Sequence, residues 1–441
     1  MSRLIRARRP GATQLLARIV ETPELVAAVG SLEPRALTKL IHHVGLEDAG
    51  EIVMLANIEQ IERVFDEDLW QAERAGVEER FDAERFALWL EVMAECGEDR
   101  LADKLAELPR ELVLLGLSRN ILVIALDDLQ QTMWGADEDD ANQIDKALES
   151  ALSEELDNYH VIARRHDGWD AVLGALLALD KNHHDVLVEL LERCAAMSAE
   201  RIEDSGGLLA LLSADEMLES DVGGEREARR AEQGYVAPQA AAAFLALAAK
   251  TDVHALAQSR ERDAVTLAYF RDLERRPAEA SPRAAHDAAA ADTAAAADKG
   301  SARLLHALRE AGVVEQEPAA PLSLAAPEDG AELGGEELLR AALAELRARD
   351  PIAYSARFGE LAYLANVLVS GYQRGTRRLP PAQAAKLALR VVARGVAQRL
   401  GSARLDALEA TVRLLRREHA DRLFRIGWPL HLDDEGQHPI A

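Results

Sequence analysis

The sequence predicts a mainly α protein, with a superhelical array of short helices, further helical modules and one small antiparallel β element. Three observations carry this expectation. Alanine fills 82 of 441 positions while aromatic residues make up only 4%, a composition that favours helices over sheets. Apolar residues recur at three- and four-residue spacing along most of the chain. Many of these bursts also open on a helix-start signal. A hydrophobic content of 49% excludes wholesale disorder, and the length allows two or three domains with cores of their own.

The first predicted domain, residues 11–135, is the short-helix array. Leu32-Glu33-Pro34 precedes Ala36, Leu37, Leu40 and Ile41. Leu46-Glu47-Asp48 precedes Ala49, Ile52, Val53 and Leu55, and Asn57 caps Ile58, Ile61, Val64 and Phe65. Proline and acidic side chains in a first turn suit the positive end of a helix. Helices of two or three turns are marginal alone, so neighbours must stack to share a core.

Residues 136–276 form the second predicted domain. Asn120–Ile124 and Asn158–Ile162 are short and β-branched, which predicts two strands pairing antiparallel, with a helix over 143–156 between them. Helices are expected at Trp169–Leu179 and Val186–Met197, and loops at Gly206-Gly207 and Gly223-Gly224. Further helices are expected over Glu225–Glu232 and from Pro238 to near Arg276. Residues 277–335 read as a flexible Ala/Pro-rich linker, interrupted by one helix at Ser301–Ala311. A basic helical module, residues 336–430, closes the predicted organisation.

Two cysteines, Cys96 and Cys194, are too few for a disulfide scaffold. Both close the same apolar helical stripe, so each reads as a small core hydrophobe. Arg3, Arg6, Arg8 and Arg9 precede a stretch that Arg18 and Glu21 interrupt, which argues against a signal peptide. No apolar run approaches the ~20 residues of a membrane span. The expectation is a cytoplasmic protein with no membrane partner.

The formal net charge of −26 is unevenly spread. Residues 11–150 hold 12 basic and 31 acidic side chains, so 12 − 31 = −19. Residues 340–425 hold 17 and 7, so 17 − 7 = +10. Within the basic module, Lys386, Arg390 and Arg394 stand four apart and line one helix face. That stripe is either a solvated or self-docked face, or a surface for an acidic protein partner. Nucleic acid is the poorer fit, because no aromatic residues interleave with the charges.

Catalytic patterns are scarce. Asp137-Glu138-Asp139-Asp140 suggests a calcium loop, but Asn142 and Leu148 stand where glycine and glutamate are required. His166-Asp167, His184-Asp185 and His286-Asp287 are His-Asp pairs. An all-helical metal phosphohydrolase combines such a pair with another histidine and a later aspartate, because imidazole and carboxylate together hold a divalent cation over a phosphate. His160, His184, Asp185 and Asp204 fit that order, although Asp185 also suits a helix N-cap. Walker-type GxxxxGK[ST], GxGxxG, HExxH, GxSxG and CxxC patterns are all absent. No catalytic, metal or cofactor residue is therefore assigned.

Asn57-Ile58-Glu59-Gln60 with Phe65-Asp66-Glu67-Asp68-Leu69-Trp70, and the later phrases Glu360–Leu368 and Leu423–Trp428, resemble a pattern in an uncharacterised bacterial protein family. The opening helices are also similar to the superhelical N-terminal cytosolic domain of magnesium transporters and of a flagellar motor switch protein. The resemblance implies stacked helices that act as a regulatory or assembly surface, and it implies no activity or cofactor. The favoured function is a non-catalytic protein-interaction or regulatory scaffold. The alternatives are a metal-dependent phosphohydrolase of all-helical type and nucleic-acid binding through the basic C-terminal module.

Overall fold

A computed structural model describes residues 10–20, 25–135, 146, 151–203, 214–232, 234–251, 256, 294–311, 313, 334–374, 377–401 and 407–434. Among them are 19 helices and three small antiparallel sheets. The chain divides into two compact units: residues 1–71, 80–226 and 289–317, and residues 72–79, 227–288 and 318–441.

The first unit opens with α1 (Pro10–Val20), α2 (Leu25–Gly30), α3 (Pro34–Val44), α4 (Leu46–Leu55) and α5 (Ile58–Asp68). Each start has a local cause. Pro34 occupies the first turn of α3, and Glu47 and Asp48 sit in the first turn of α4. Asn57 builds a capping box: its Oδ1 accepts the Gln60 N–H at 2.8 Å, and its own N–H donates to Gln60 Oε1 at 2.9 Å. The Gln60 amide also donates to the carbonyls of Val29 (2.8 Å) and Leu32 (2.7 Å), fastening α5 to the α2–α3 connection.

A two-strand ladder, β1 (Trp70–Gln71) with β2 (Arg80–Phe81), precedes α6 (Ala83–Glu95), α7 (Glu98–Glu107) and α8 (Arg110–Asn120). Short helices do share cores: α3 packs on α4 and α5, α4 on α6, and α6 on α7 and α8. Gly116 lets α8 approach α6, since a Cβ there would meet the Phe86 ring at 2.4 Å.

The expected antiparallel pair is present as β3 (Ile121–Ala125) and β5 (Tyr159–Ala163), with Val123 opposite Val161 and both fully buried. α9 (Leu126–Gly135) follows β3. The expectation of a helix through residue 156 is corrected: Ser153–Leu156 forms β4, a hairpin partner of β5. Asp157 and Asn158 make the two-residue turn, and Asp157 takes a left-handed φ of 51°, a conformation Asp and Asn tolerate. Most of 143–152 lies outside the described residues.

α10 (Trp169–Asn182) packs on α6 and α7, and α11 (His184–Glu203) on β3 and α8. α12 (Ala214–Glu232) runs straight through Gly223-Gly224, where a loop was expected. Gly223 lies beside the Trp70 indole, 3.5 Å from where a Cβ would stand. Gly206-Gly207 lies outside the described residues.

Two further expectations change downstream. The helix beginning at Pro238, α13 (Pro238–Ala249), is capped at Lys250 rather than running on unbroken to Arg276. Within the predicted linker, α14 (Ala294–Glu310) is longer than expected and buries Leu304, Ala307 and Leu308 in the first unit's core against α1 and α2. Arg18 pairs with Glu310 at 2.6 Å. Most of the remaining linker lies outside the described residues.

The second unit comprises α13, α15 (Gly335–Arg349), α16 (Pro351–Gly371), the ladder β6 (Gln373–Arg374) with β7 (Arg377–Arg378), α17 (Pro381–Leu400), α18 (Ala407–Arg417) and α19 (Ala420–Asp434). Phe244, Tyr363, Phe424 and Trp428 centre its core. α17 and α19 meet backbone to backbone: a Cβ on Gly395 would stand 1.9 Å from the Leu423 carbonyl oxygen, and one on Gly427 2.0 Å from that of Val391. No helix among the described residues is long and apolar enough to cross a membrane.

Candidate functional site

The predicted basic stripe lies on α17, which starts where Pro380 and Pro381 fix the backbone. Ala384, Ala388, Val391, Val392 and Val396 turn inward, which leaves Lys386 and Arg390 exposed. Lys386 has no ionic partner among the described residues. Arg390 Nε donates to Glu336 Oε1 at 2.8 Å on α15, with the arginine side chain 49% exposed.

Arg394 behaves differently. Four residues turn a helix by about 40° more than one full revolution, so two such steps carry Arg394 well round from Lys386. Its Nη1 donates to the Leu430 carbonyl (3.2 Å) and to His431 Nδ1 (3.3 Å) on α19. The three-residue stripe is therefore two exposed cations plus one turned toward α19.

Beside the exposed pair lies a cavity of about 180 Å³. Tyr372, Leu379 and Leu387 give it apolar walls, and Gln383, Lys386, Arg390 and His431 supply its polar groups; among the described residues no carboxylate lines it. Tyr372, Leu379 and His431 were not found from sequence, because nothing local marks residues contributed by three separate segments.

Of the phosphohydrolase residues, His160, His184 and Asp185 do not assemble. His184 Nδ1 lies 2.9 Å from Asp180 Oδ1, and its Nε2 lies 3.7 Å from Asp157 Oδ2, an exposed group of metal-binding type. The hydrogen bond to Asp180 and the neighbouring carboxylate charges push the His184 imidazole up from its ordinary range. His160 belongs to β5, 3.9 Å from Glu155, and Asp185 sits in the first turn of α11 rather than at its N-cap. Neither joins the His184 group, and Asp204 lies outside the described residues.

A second such group, Glu360, His419 and Asp421, escaped the sequence reading. Glu360 is 3% exposed. Its Oε1 pairs with His419 Nδ1 at 2.7 Å, and its Oε2 accepts the Ala420 N–H at 2.6 Å with Arg357 Nη1 at 3.1 Å. Burial pushes the Glu360 carboxyl up, but the His419 hydrogen bond, the Arg357 charge and the Ala420 amide outweigh it and hold the group below the usual carboxylate range. With a guanidinium already on the carboxylate, this cluster fastens α16 to the start of α19.

Cys194 is a buried core residue whose thiol is pushed up to about 12 by burial. Cys96 is only partly buried, at the end of α6 rather than deep in the stripe.

These features define a mainly α protein of two compact helical units, the second carrying an apolar-walled cavity with a cationic edge. The chain belongs to a family of unknown function, DUF6178, whose model matches residues 3–280. Asn57–Gln60 and Phe65–Trp70 fall inside the matched residues, and the phrases at 360–368 and 423–428 fall beyond them. No curated protein and no solved structure matches the chain.

Proposed function

We propose that the protein is a non-catalytic interaction or regulatory scaffold, acting in the cytoplasm, whose C-terminal module engages an acidic protein partner. The observation that carries this reading is the open cationic edge of α17. Lys386 is exposed, and among the described residues Arg390 is held by a half-exposed pair with Glu336. Such a surface pair is worth about 1 kcal/mol or less, so an incoming carboxylate can replace Glu336 at little cost.

The test is affinity purification of the full-length chain beside the double variant Lys386→Glu/Arg390→Glu. A partner with an acidic surface should be recovered by the parent, released by salt, and bound about tenfold or more weakly by the variant. A partner held equally by both proteins, or insensitive to salt, overturns the proposal.

A further inference from the structure

The cavity beside Lys386 and Arg390 has a size and chemistry that an extended charged surface does not need. An enclosed apolar cavity of about 150 Å³ holds one benzene molecule. At about 180 Å³, this one has room for a single ring, or a branched chain of similar bulk, plus one small polar group. It falls short of the roughly 300–1,000 Å³ of sites that take nucleotide- or drug-sized ligands.

Its lining sets the charge of the occupant. Lys386 and Arg390 bring two positive charges and Gln383 an amide, and among the described residues the nearest opposing carboxylate is Glu336, which pairs with Arg390 from outside the lining. Arg390 spends its Nε–H on Glu336, while a guanidinium has five N–H donors in all. Tyr372, Leu379 and Leu387 meanwhile offer an apolar body something to pack on.

The walls are also fixed in place. Tyr372 packs edge-on against Trp428, ring centroids 5.3 Å apart, and Trp428 stacks on Phe424 at 5.3 Å. His431 is 2% exposed, with its ring 5.6 Å from that of Trp428. Because a guanidinium only donates, Arg394 Nη1 makes His431 Nδ1 an acceptor, which places the neutral ring's proton on Nε2. Walls held this way lose little freedom when a ligand enters.

We infer that this cavity binds a small organic anion, a carboxylate carried on a single ring or a branched chain of like size. The apolar body lies against Tyr372, Leu379 and Leu387, and the carboxylate faces Lys386 and Arg390. The inference stands independently of the acidic-partner reading. A protein that recovers no partner still binds the anion, and a partner that docks on the rim alone leaves the cavity open to it.

Benzoate is the probe, titrated into the full-length chain by saturation-transfer NMR. Saturable binding is expected with a Kd of about 1 mM or tighter, the range for a ligand of so few atoms. Benzyl alcohol, which has the ring but no charge, should bind about tenfold more weakly. Inorganic phosphate, which has charge but no apolar body, should not displace benzoate at equal concentration. Lys386→Gln/Arg390→Gln changes two exposed positions and should weaken benzoate about tenfold, while Leu387→Trp fills the cavity and should abolish binding. If the tryptophan variant fails to fold, the glutamine pair decides alone. Absence of saturable benzoate binding, equal affinity for benzyl alcohol, displacement by phosphate, or an unchanged Kd in the glutamine pair overturns the inference.

Discussion

Replacing Asp68 by asparagine isolates one buried charge and makes its contribution measurable. Asp68 ends α5, with its side chain 9% exposed. Its Oδ2 accepts from Arg85 Nε at 2.7 Å and from Trp89 Nε1 at 2.6 Å, and its Oδ1 lies 3.2 Å from both Arg85 Nη2 and His42 Nε2. Burial pushes the carboxyl up, but hydrogen bonds with His42, Arg85 and Trp89 and the Arg85 charge outweigh it, leaving the group at about 2 against an ordinary 3.8. Each unit of such a difference is worth about 1.4 kcal/mol, so the ionised carboxylate stabilises the first unit by about 2 kcal/mol. Because the folded value is the lower one, that stability is fully present above pH ~4 and drains away as pH falls toward ~2. Asparagine keeps the shape and an acceptor for Trp89 but has no charge to lose. Urea titrations followed by tryptophan fluorescence suit the comparison, since Trp70, Trp89, Trp134 and Trp169 belong to the first unit and only Trp428 to the second. The gap between parent and Asp68→Asn should be about 2 kcal/mol at pH 5 and narrow by about 1 kcal/mol at pH 3. A gap of the same size at both pH values, or one below ~0.5 kcal/mol at pH 5, refutes the reasoning.

Three further outcomes follow from the packing and the caps. Gly395→Ala should destabilise the second unit by about 1–3 kcal/mol, read from the Trp428 signal, because its methyl collides with the Leu423 carbonyl and α17 must shift off α19. Asn57→Ala should cost about 1 kcal/mol as a lost cap, and Gln60→Leu about 2–3 kcal/mol, since it also removes the side-chain donor of the Leu32 carbonyl and one of the two donors of the Val29 carbonyl; equal costs in urea would contradict the buried cross-link. In the native protein at pH 8, Cys194 should be silent to a disulfide reagent until the chain is unfolded, and Cys96 should react slowly, its thiol raised by burial and by Glu51 and Glu95. Rapid titration of two thiols would overturn both assignments.

The parts of the fold legible in the sequence were those whose causes are local. Pro34 and Asn57 announce helix starts because the groups they satisfy lie within one turn, and the β-branched runs at 121–124 and 161–162 pair as their period suggests. β4 was hidden because Glu154 and Glu155 read as helix formers, while the deciding signal was the turn chemistry of Asp157 and Asn158. α12 was hidden for the opposite reason. Two glycines read as a break, since each weakens a helix by about 1 kcal/mol relative to alanine, yet the helix runs through them from Ala214 to Glu232.

The candidate site shows the same division between what period can reveal and what only tertiary contact can. Spacing located Lys386 and Arg390 but overcounted the stripe, because a four-residue step drifts round the helix and Arg394 turns toward α19. Net charge overcounted in a second way. Glu336 stands outside residues 340–425, so the sum omits a carboxylate that pairs with Arg390 and lies 3.6 Å from Arg340. A partner meets the cations left at the surface, not the sum over the module. Of the three cations singled out, those at the surface are the pair that edges the cavity, where walls from residues 372, 379 and 431 converge. Charge there coincides with shape, and that coincidence, rather than basicity spread along the module, is what makes α17 the surface on which to look for a ligand.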